Sequence, residues 1–223
     1  MTPIAHPSPN FDTRTLPVSM IVLHYTGMTS AEAAIAQLAN PAAKVSAHWV
    51  VLEDGAIFAM VDEANRAWHA GRSYWRGITD INSASIGIEI VNPGHEFGYR
   101  PFTEIQMAAV ESLVAAAARR YRIAPANIVG HSDVAPARKA DPGELFDWPR
   151  LAAAGLAVAA PDGGQDPGWD DDETIAALHR YGYDVTDPRA AVVAFHRRFR
   201  PADIGGSIDA ETRIILGGLM GGQ

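Results

Sequence analysis

Met20-Ile21-Val22-Leu23-His24-Tyr25 is the stretch on which the fold turns. It is a short, uninterrupted apolar run, the pattern of a strand buried on both faces at the centre of a sheet. His24 closes it, at the C-terminal end, where α/β sheets place their sites. Thr26-Gly27 then turns the chain. Thr29 or Ser30 can cap a helix over 31–39, and Pro41 stops it.

Working outward, 47–52 and 56–61 flank Asp54-Gly55 as a β-hairpin. His48 lies in its first strand. Residues 65–73 form a loop carrying Trp68-His69-Ala70-Gly71. Ser85-Ile86-Gly87-Ile88-Glu89-Ile90-Val91 is a further strong strand. Pleat alternation puts Glu89 on the face opposite Ile88 and Ile90. A carboxylate in so apolar a strand must be paired, hydrogen-bonded or functional. Thr103-Glu104-Ile105-Gln106 matches a capping box and opens a helix to about Tyr121, with Ile105, Ala108, Ala109, Leu113 and Ala116 at helical spacing. Phe146-Asp147-Trp148-Pro149-Arg150 starts another helix through an Ala-rich run. In front of all this, residues 1–17, with four prolines, read as an extended arm.

Strands alternating with helices make the class α/β. Pro161 to Gly168 reads as a linker. Three short helical patterns follow, 172–181, 188–199 and 209–216, with Pro188 suited to a first turn. They predict a small three-helix bundle. The expected division is a catalytic domain over 1–160, a linker over 161–170 and a C-terminal module over 171–223.

The chain has 223 residues, 48% of them hydrophobic, and a net charge of −8. That balance argues against a nucleic-acid binder relying on phosphate neutralisation. No apolar run is long enough to span a bilayer. The first residues lack the basic start and apolar core of a signal peptide. A cytoplasmic location is therefore expected, or a periplasmic one if a leader has been removed. A monomer is expected. Cysteine is absent, so any metal must be held by His, Asp or Glu.

Gly130-His131-Ser132-Asp133-Val134-Ala135-Pro136-Ala137-Arg138-Lys139-Ala140-Asp141-Pro142-Gly143 follows another strand end, Asn127-Ile128-Val129. His24, His131 and Asp141 make a His-His-Asp set, three ligands with room for an open position, as a catalytic zinc site needs. Glu89 is the candidate to take the proton of an activated water. Lys139 is the candidate to stabilise an oxyanion. Together these are the parts of metal-assisted amide hydrolysis. Plainer readings stand beside this one: a strand-end histidine can simply bond a loop, and Glu89 can pair with an arginine. A serine or cysteine nucleophile is disfavoured, since there is no Cys and no Gly-x-Ser-x-Gly. His6 reads as a tail residue, His95 as a loop residue, and His179 and His196 as residues on helices of the small module, none of them catalytic.

Several stretches, in order over residues 8 to about 155, together resemble the zinc-dependent N-acetylmuramoyl-L-alanine amidases of the type-2 (AmpD/AmiD-like) family. They are Ser8-Pro9-Asn10-Phe11-Asp12-x-Arg14, Val22-Leu23-His24-Tyr25-Thr26, Val45-Ser46-Ala47-His48, Ala67-Trp68-His69-Ala70-Gly71, Ser85-Ile86-Gly87-Ile88-Glu89, Gly130-His131 and Lys139-Ala140-Asp141-Pro142-Gly143. The resemblance implies a mixed central β-sheet flanked by helices. It implies Zn²⁺ on His24, His131 and Asp141, and cleavage of the amide between N-acetylmuramic acid, in its ordinary or 1,6-anhydro form, and L-alanine in peptidoglycan or muropeptides. Glu89 matches the catalytic glutamate and Lys139 the oxyanion-stabilising lysine. His48, Trp68 and His69 match positions near the substrate cleft, although His69 can equally support the fold. The segment Ala191 to Phe199, with Ile208-Asp209-Ala210-Glu211-Thr212, is similar to a small peptidoglycan-binding module. Two alternatives accompany this reading: a peptidoglycan-recognition protein that does not cut, and a zinc peptidase acting on the stem peptide.

Overall fold

The computed structural model describes residues 2–221; the outermost residues of the two expected domains, Met1, Gly222 and Gln223, lie outside the described residues. Strands β1 (Ile4–Ala5), β2 (Phe11–Thr13), β3 (Met20–Tyr25), β4 (Trp49–Val51), β5 (Ile57–Ala59), β6 (Asn65–Ala67), β7 (Ser85–Ile90) and β8 (Ile128–Gly130) form two sheets. The main one is six-stranded, in the order β1-β5-β4-β7-β3-β8, and β2 pairs with β6 in a separate ribbon. The helices are α1 (Ala31–Ala39), α2 (Ile81–Ala84), α3 (Gly94–Phe97), α4 (Glu104–Tyr121), α5 (His131–Val134), α6 (Trp148–Ala153), α7 (Asp171–Tyr181), α8 (Pro188–Phe199) and α9 (Ala210–Gly221).

The main sheet is mixed, as expected. β8, β3, β7 and β4 run parallel; β5 returns antiparallel through the Asp54-Gly55 turn. β3 and β7 occupy its centre, which is why every residue of β7 and all but Tyr25 of β3 are buried. Ile21, Leu23, Ile86, Ile88 and Ile90 face one side and pack under α4 through Met107, Val110 and Val114. Each such side chain, fully buried, contributes about 1.5–3 kcal/mol.

The opposite face is shared. At one end, Val50 and Met60 meet Leu38 of α1. At the other, Met20, Val22 and Val129 join Leu178, Phe195 and Leu216 of the three C-terminal helices in one apolar core. Between these two patches the sheet presents His24, Gly87 and Glu89 instead of bulk.

Four local readings need correction. The α4 core stripe runs through Met107, Val110, Val114 and Ala117, while Ile105 is 52% exposed. Ile105 instead lies over the hairpin turn, its carbonyl oxygen 3.0 Å from where a Cβ on Gly55 would sit. Thr103 caps the helix, but Gln106 does not reciprocate: its amide donates to the carbonyls of Val51 and Val91. The helix expected through the Ala-rich run stops at Ala153, because Gly155 takes φ +70°. The arm, finally, is more than extended chain. β1 adds an edge strand beside β5, and Asn10 and Ser8 bond the backbone of Asn40, Val45 and Leu38.

Candidate active site

Three neighbouring strands deliver the site to the C-terminal edge of the sheet. In the β3–β7 register His24 sits beside Glu89, so both side chains leave the same face. On the other side of β3, Leu23 pairs with Gly130, and His131 follows at once as the first residue of α5. The sequence reading put His131 at a strand end; the strand stops one residue earlier. The chain then loops back, and Ser132 N–H donates to the Asp141 carbonyl at 2.8 Å. That bond draws Asp141 against His131.

His24 Nδ1, His131 Nδ1 and Asp141 Oδ2 converge. The three atoms are 2.9, 3.1 and 3.0 Å apart in pairs, and all three residues are buried. The surrounding hydrogen bonds fix where the protons are. The Ile81 carbonyl can only accept, so the Ser85 hydroxyl donates to it, at 2.6 Å. Ser85 then accepts the Nε2–H of His69, at 3.2 Å. His69 Nδ1 is left bare and accepts the Nε2–H of His24, at 3.0 Å. His24 Nδ1 therefore carries no proton. His131 reaches the same state by a shorter path, its Nε2–H donating to the Ala70 carbonyl at 3.1 Å.

Two imidazole lone pairs and a carboxylate thus face one another at contact distance with no proton between them. Such a set is repulsive alone and is satisfied by a divalent cation in its midst. Two nitrogens and one oxygen suit a transition metal with an open position. The electrostatics agree. Burial, and then the neighbouring His131, push His24 down to about 4. Burial, with His24 and His48 beside it, holds His69 well below its ordinary value. Both rings are neutral at pH 7, as the proton pattern requires.

Glu89 is 8% exposed, and its Oε2 has no hydrogen-bond partner among the described residues. Burial raises its carboxyl well above the usual range; Asp141 adds to this and Lys139 opposes it. Glu89, His69, His131, Lys139 and Asp141 line one cavity of about 550 Å³, together with Tyr25 and with Ala34, Gln37 and Leu38 of α1. A second hollow, of about 560 Å³, is lined by Tyr74, Val134–Arg138, Asp184, Thr186 and Asp187, and contains none of the converging groups.

The structure therefore brings together His24, His131, Asp141, Glu89 and Lys139. His69 joins them, but as the partner of His24, its ring lying flat on Gly87. His48 and Trp68 do not line the cavity. His48 is fully buried, with Nδ1 accepting from Gly87 N–H and Nε2 near Arg14 and the Asn65 carbonyl. Trp68 donates its indole N–H to Asp12 at 2.7 Å, and the Lys44 ammonium lies over its ring. Sequence reading missed Ser85, whose hydroxyl fixes the proton chain, and Tyr99, whose hydroxyl donates to the Pro142 carbonyl and accepts from Leu145 N–H to hold the loop after Asp141. Neither lies in a pattern that marks it as part of a site.

Fold and site together define an α/β enzyme with a buried His-His-Asp candidate metal centre at the carboxyl edge of its sheet. The chain belongs to the N-acetylmuramoyl-L-alanine amidase family, whose pattern matches residues 14–144. It is 36% identical to the N-acetylmuramoyl-L-alanine amidase AmiD of Escherichia coli K12 over 91% of this chain and 82% of that protein. The structure of E. coli AmiD in complex with the substrate anhydro-N-acetylmuramic acid-L-Ala-D-gamma-Glu-L-Lys matches with a TM-score of 0.83 and 32% identity, over 95% of this chain and 92% of that one. The crystal structure of AmpDh3 from Pseudomonas aeruginosa matches with a TM-score of 0.84 and 32% identity, over 92% of each chain. Among the described residues no helix is long and apolar enough to cross a membrane.

Proposed function

We propose that this chain hydrolyses the amide between N-acetylmuramic acid and the L-alanine of the stem peptide, and that it does so with Zn²⁺ held by His24, His131 and Asp141. The observation that carries the reading is the convergence of two proton-free imidazole nitrogens and a carboxylate beside an unpartnered buried glutamate. Zn²⁺ in that position supplies Lewis acidity and lowers the pKa of a bound water to about 7.

The chain's own residues account for the rest. Glu89 stands one strand over from His24, on the same face, with a free carboxylate oxygen. It accepts the proton of the attacking water and returns it to the departing amine of L-Ala, the group that must be protonated to leave. Lys139 lines the same cavity and donates to the oxygen on which negative charge develops. His69 and Ser85 keep His24 in the tautomer that offers Nδ1.

The structure of the E. coli relative is a complex with the substrate anhydro-N-acetylmuramic acid-L-Ala-D-gamma-Glu-L-Lys, so that fragment is the first to assay. Mass spectrometry should find a released peptide with a free L-Ala amino terminus. Chelation should stop the release and added Zn²⁺ should restore it. Cleavage inside the stem, or full turnover in a metal-free preparation, would overturn the reading.

A further inference from the structure

We infer that the C-terminal helices complete the candidate metal centre: Arg198 of α8 and Tyr183 of the α7–α8 loop are positioning residues for His131. The inference rests on the reading of His131 as a metal ligand.

The link is Asp133, two residues past His131 and 1% exposed. Its Oδ2 accepts the backbone N–H of Gly130, the residue before His131, at 2.7 Å. The same oxygen meets Arg198 Nη1 at 3.1 Å, and Oδ1 accepts the Tyr183 hydroxyl at 2.7 Å. Arg198 is 7% exposed. It also donates to the carbonyl of Ile128 in β8, at 3.0 Å, and its guanidinium lies 3.8 Å from the centre of the Trp148 ring. Both ends of the strand-to-helix turn that presents His131 are thus tied to one buried carboxylate, and two of that carboxylate's three partners come from beyond residue 180.

A buried carboxylate needs its charge met. Without Arg198 and Tyr183, Asp133 would turn toward water and release Gly130 N–H. The α5 turn has only four residues and cannot hold its own geometry. His131 Nδ1 would then leave the position 3.0 Å from Asp141. A group that orients a ligand from behind governs metal affinity, and its loss typically costs 10–100-fold. The helices therefore act on the chemistry through the backbone of the His131 turn, in addition to any contact with polymer.

The test uses the full chain and Zn²⁺ affinity, read by competition with a chromophoric chelator, beside thermal melting and the split of kcat from KM. Tyr183→Phe removes one hydroxyl and keeps the packing. Arg198→Gln removes the charge. Leu219→Ala, in the core of the same helical unit and at a side chain that does not hydrogen-bond Asp133, reports simple loss of stability. The expected result is a Zn²⁺ affinity lowered about tenfold or more by Tyr183→Phe and Arg198→Gln, with kcat reduced and KM little changed, while Leu219→Ala lowers the melting temperature and leaves affinity within twofold. If Arg198→Gln does not fold, Tyr183→Phe decides alone. Unchanged affinity in Tyr183→Phe, or an equal loss in Leu219→Ala, would overturn the inference. Failure of the unaltered chain to bind Zn²⁺ would instead overturn the metal reading on which it rests.

Discussion

His69 Nδ1 lies 3.0 Å from His24 Nε2, and the His69 ring rests directly on Gly87. The first contact decides which nitrogen of His24 faces the candidate metal. The second explains why a glycine stands in the middle of a buried strand. Both follow from a residue that sequence reading places near the substrate.

His69→Ala should leave His24 free to carry its proton on either nitrogen. Zn²⁺ affinity is then expected to fall about 10–100-fold, with kcat falling alongside, since outer partners of metal-bound histidines carry effects of that size. Chelator competition measures it. An affinity within twofold of the parent would show that the Ser85–His69 chain does not set the tautomer.

Gly87→Ala places a methyl 2.4 Å from His69 Cγ. The ring must move or β7 must bend, an overpacking cost of about 1–3 kcal/mol. Stability and metal affinity should both drop. In Gly87→Ala/His69→Ala the clash is gone, so the stability loss should be much smaller than the sum of the two single losses. Urea denaturation of all four proteins closes the cycle; strict additivity would place the clash elsewhere.

Burial, and then the positive charge of Arg14, hold His48 down to about 3, against an ordinary 6.5. Below pH 6.5 the unfolded chain takes up a proton that the folded chain refuses, so folding loses free energy as pH falls from 6.5 toward 3. The contribution is whole above pH 6.5, and its loss amounts to about a few kcal/mol at the acid end. The metal-free protein should show urea midpoints falling over this window. His48→Gln should flatten the slope; an unchanged slope would assign the acid sensitivity to other groups.

The framework was legible where one periodicity ruled. β3 is apolar on four successive residues and β7 on alternate ones, the Asp54-Gly55 turn is short, Ser30 and Thr103 cap their helices, and Pro188 opens α8. The converging set was legible because His24 and Asp141 hold chemistry that apolar or turn surroundings do not explain. What stayed hidden was long-range. β1 is too short to announce itself and exists through pairing with β5. The α4 stripe was misjudged because Ile105 looks like core until the hairpin turn beneath it is known. The family resemblance places His48 near the cleft, and its hydrogen bonds run to Gly87 and to Asn65 of the ribbon. Asp133 reads as a loop acid until α8 is folded against it.

Glu89→Gln keeps the shape of the side chain and removes its basicity. The buried carboxylate has an unpartnered oxygen, so the variant should fold at least as stably as the parent and keep its Zn²⁺ affinity, while kcat falls by about 10²–10⁴. The pH profile should carry the same signature. Burial and Asp141 raise the Glu89 carboxyl, and a base must be ionised to act, so activity should rise with pH through a limb lying above the ordinary carboxylate range. The residual activity of Glu89→Gln should lack that limb; its survival would assign the base to another group.

Lys139 shares the cavity with Glu89 and Asp141, is exposed, and has no ion pair among the described residues. A free cation at that place serves charge that appears during the reaction, or it serves an anionic part of the substrate. The two roles separate in kinetics. Lys139→Met keeps the length of the stem and removes the charge. If the ammonium meets the developing oxyanion, kcat should fall by about 10²–10³ with KM little changed, the usual cost of one lost oxyanion donor. If it meets a standing carboxylate of the stem peptide, KM should rise and kcat hold. The first outcome is expected, because Lys139 is two residues from Asp141 and its charge already acts on both Glu89 and His24. Steady-state kinetics on one anhydro-muramyl peptide distinguish them, and a pure KM effect would remove Lys139 from the chemical step.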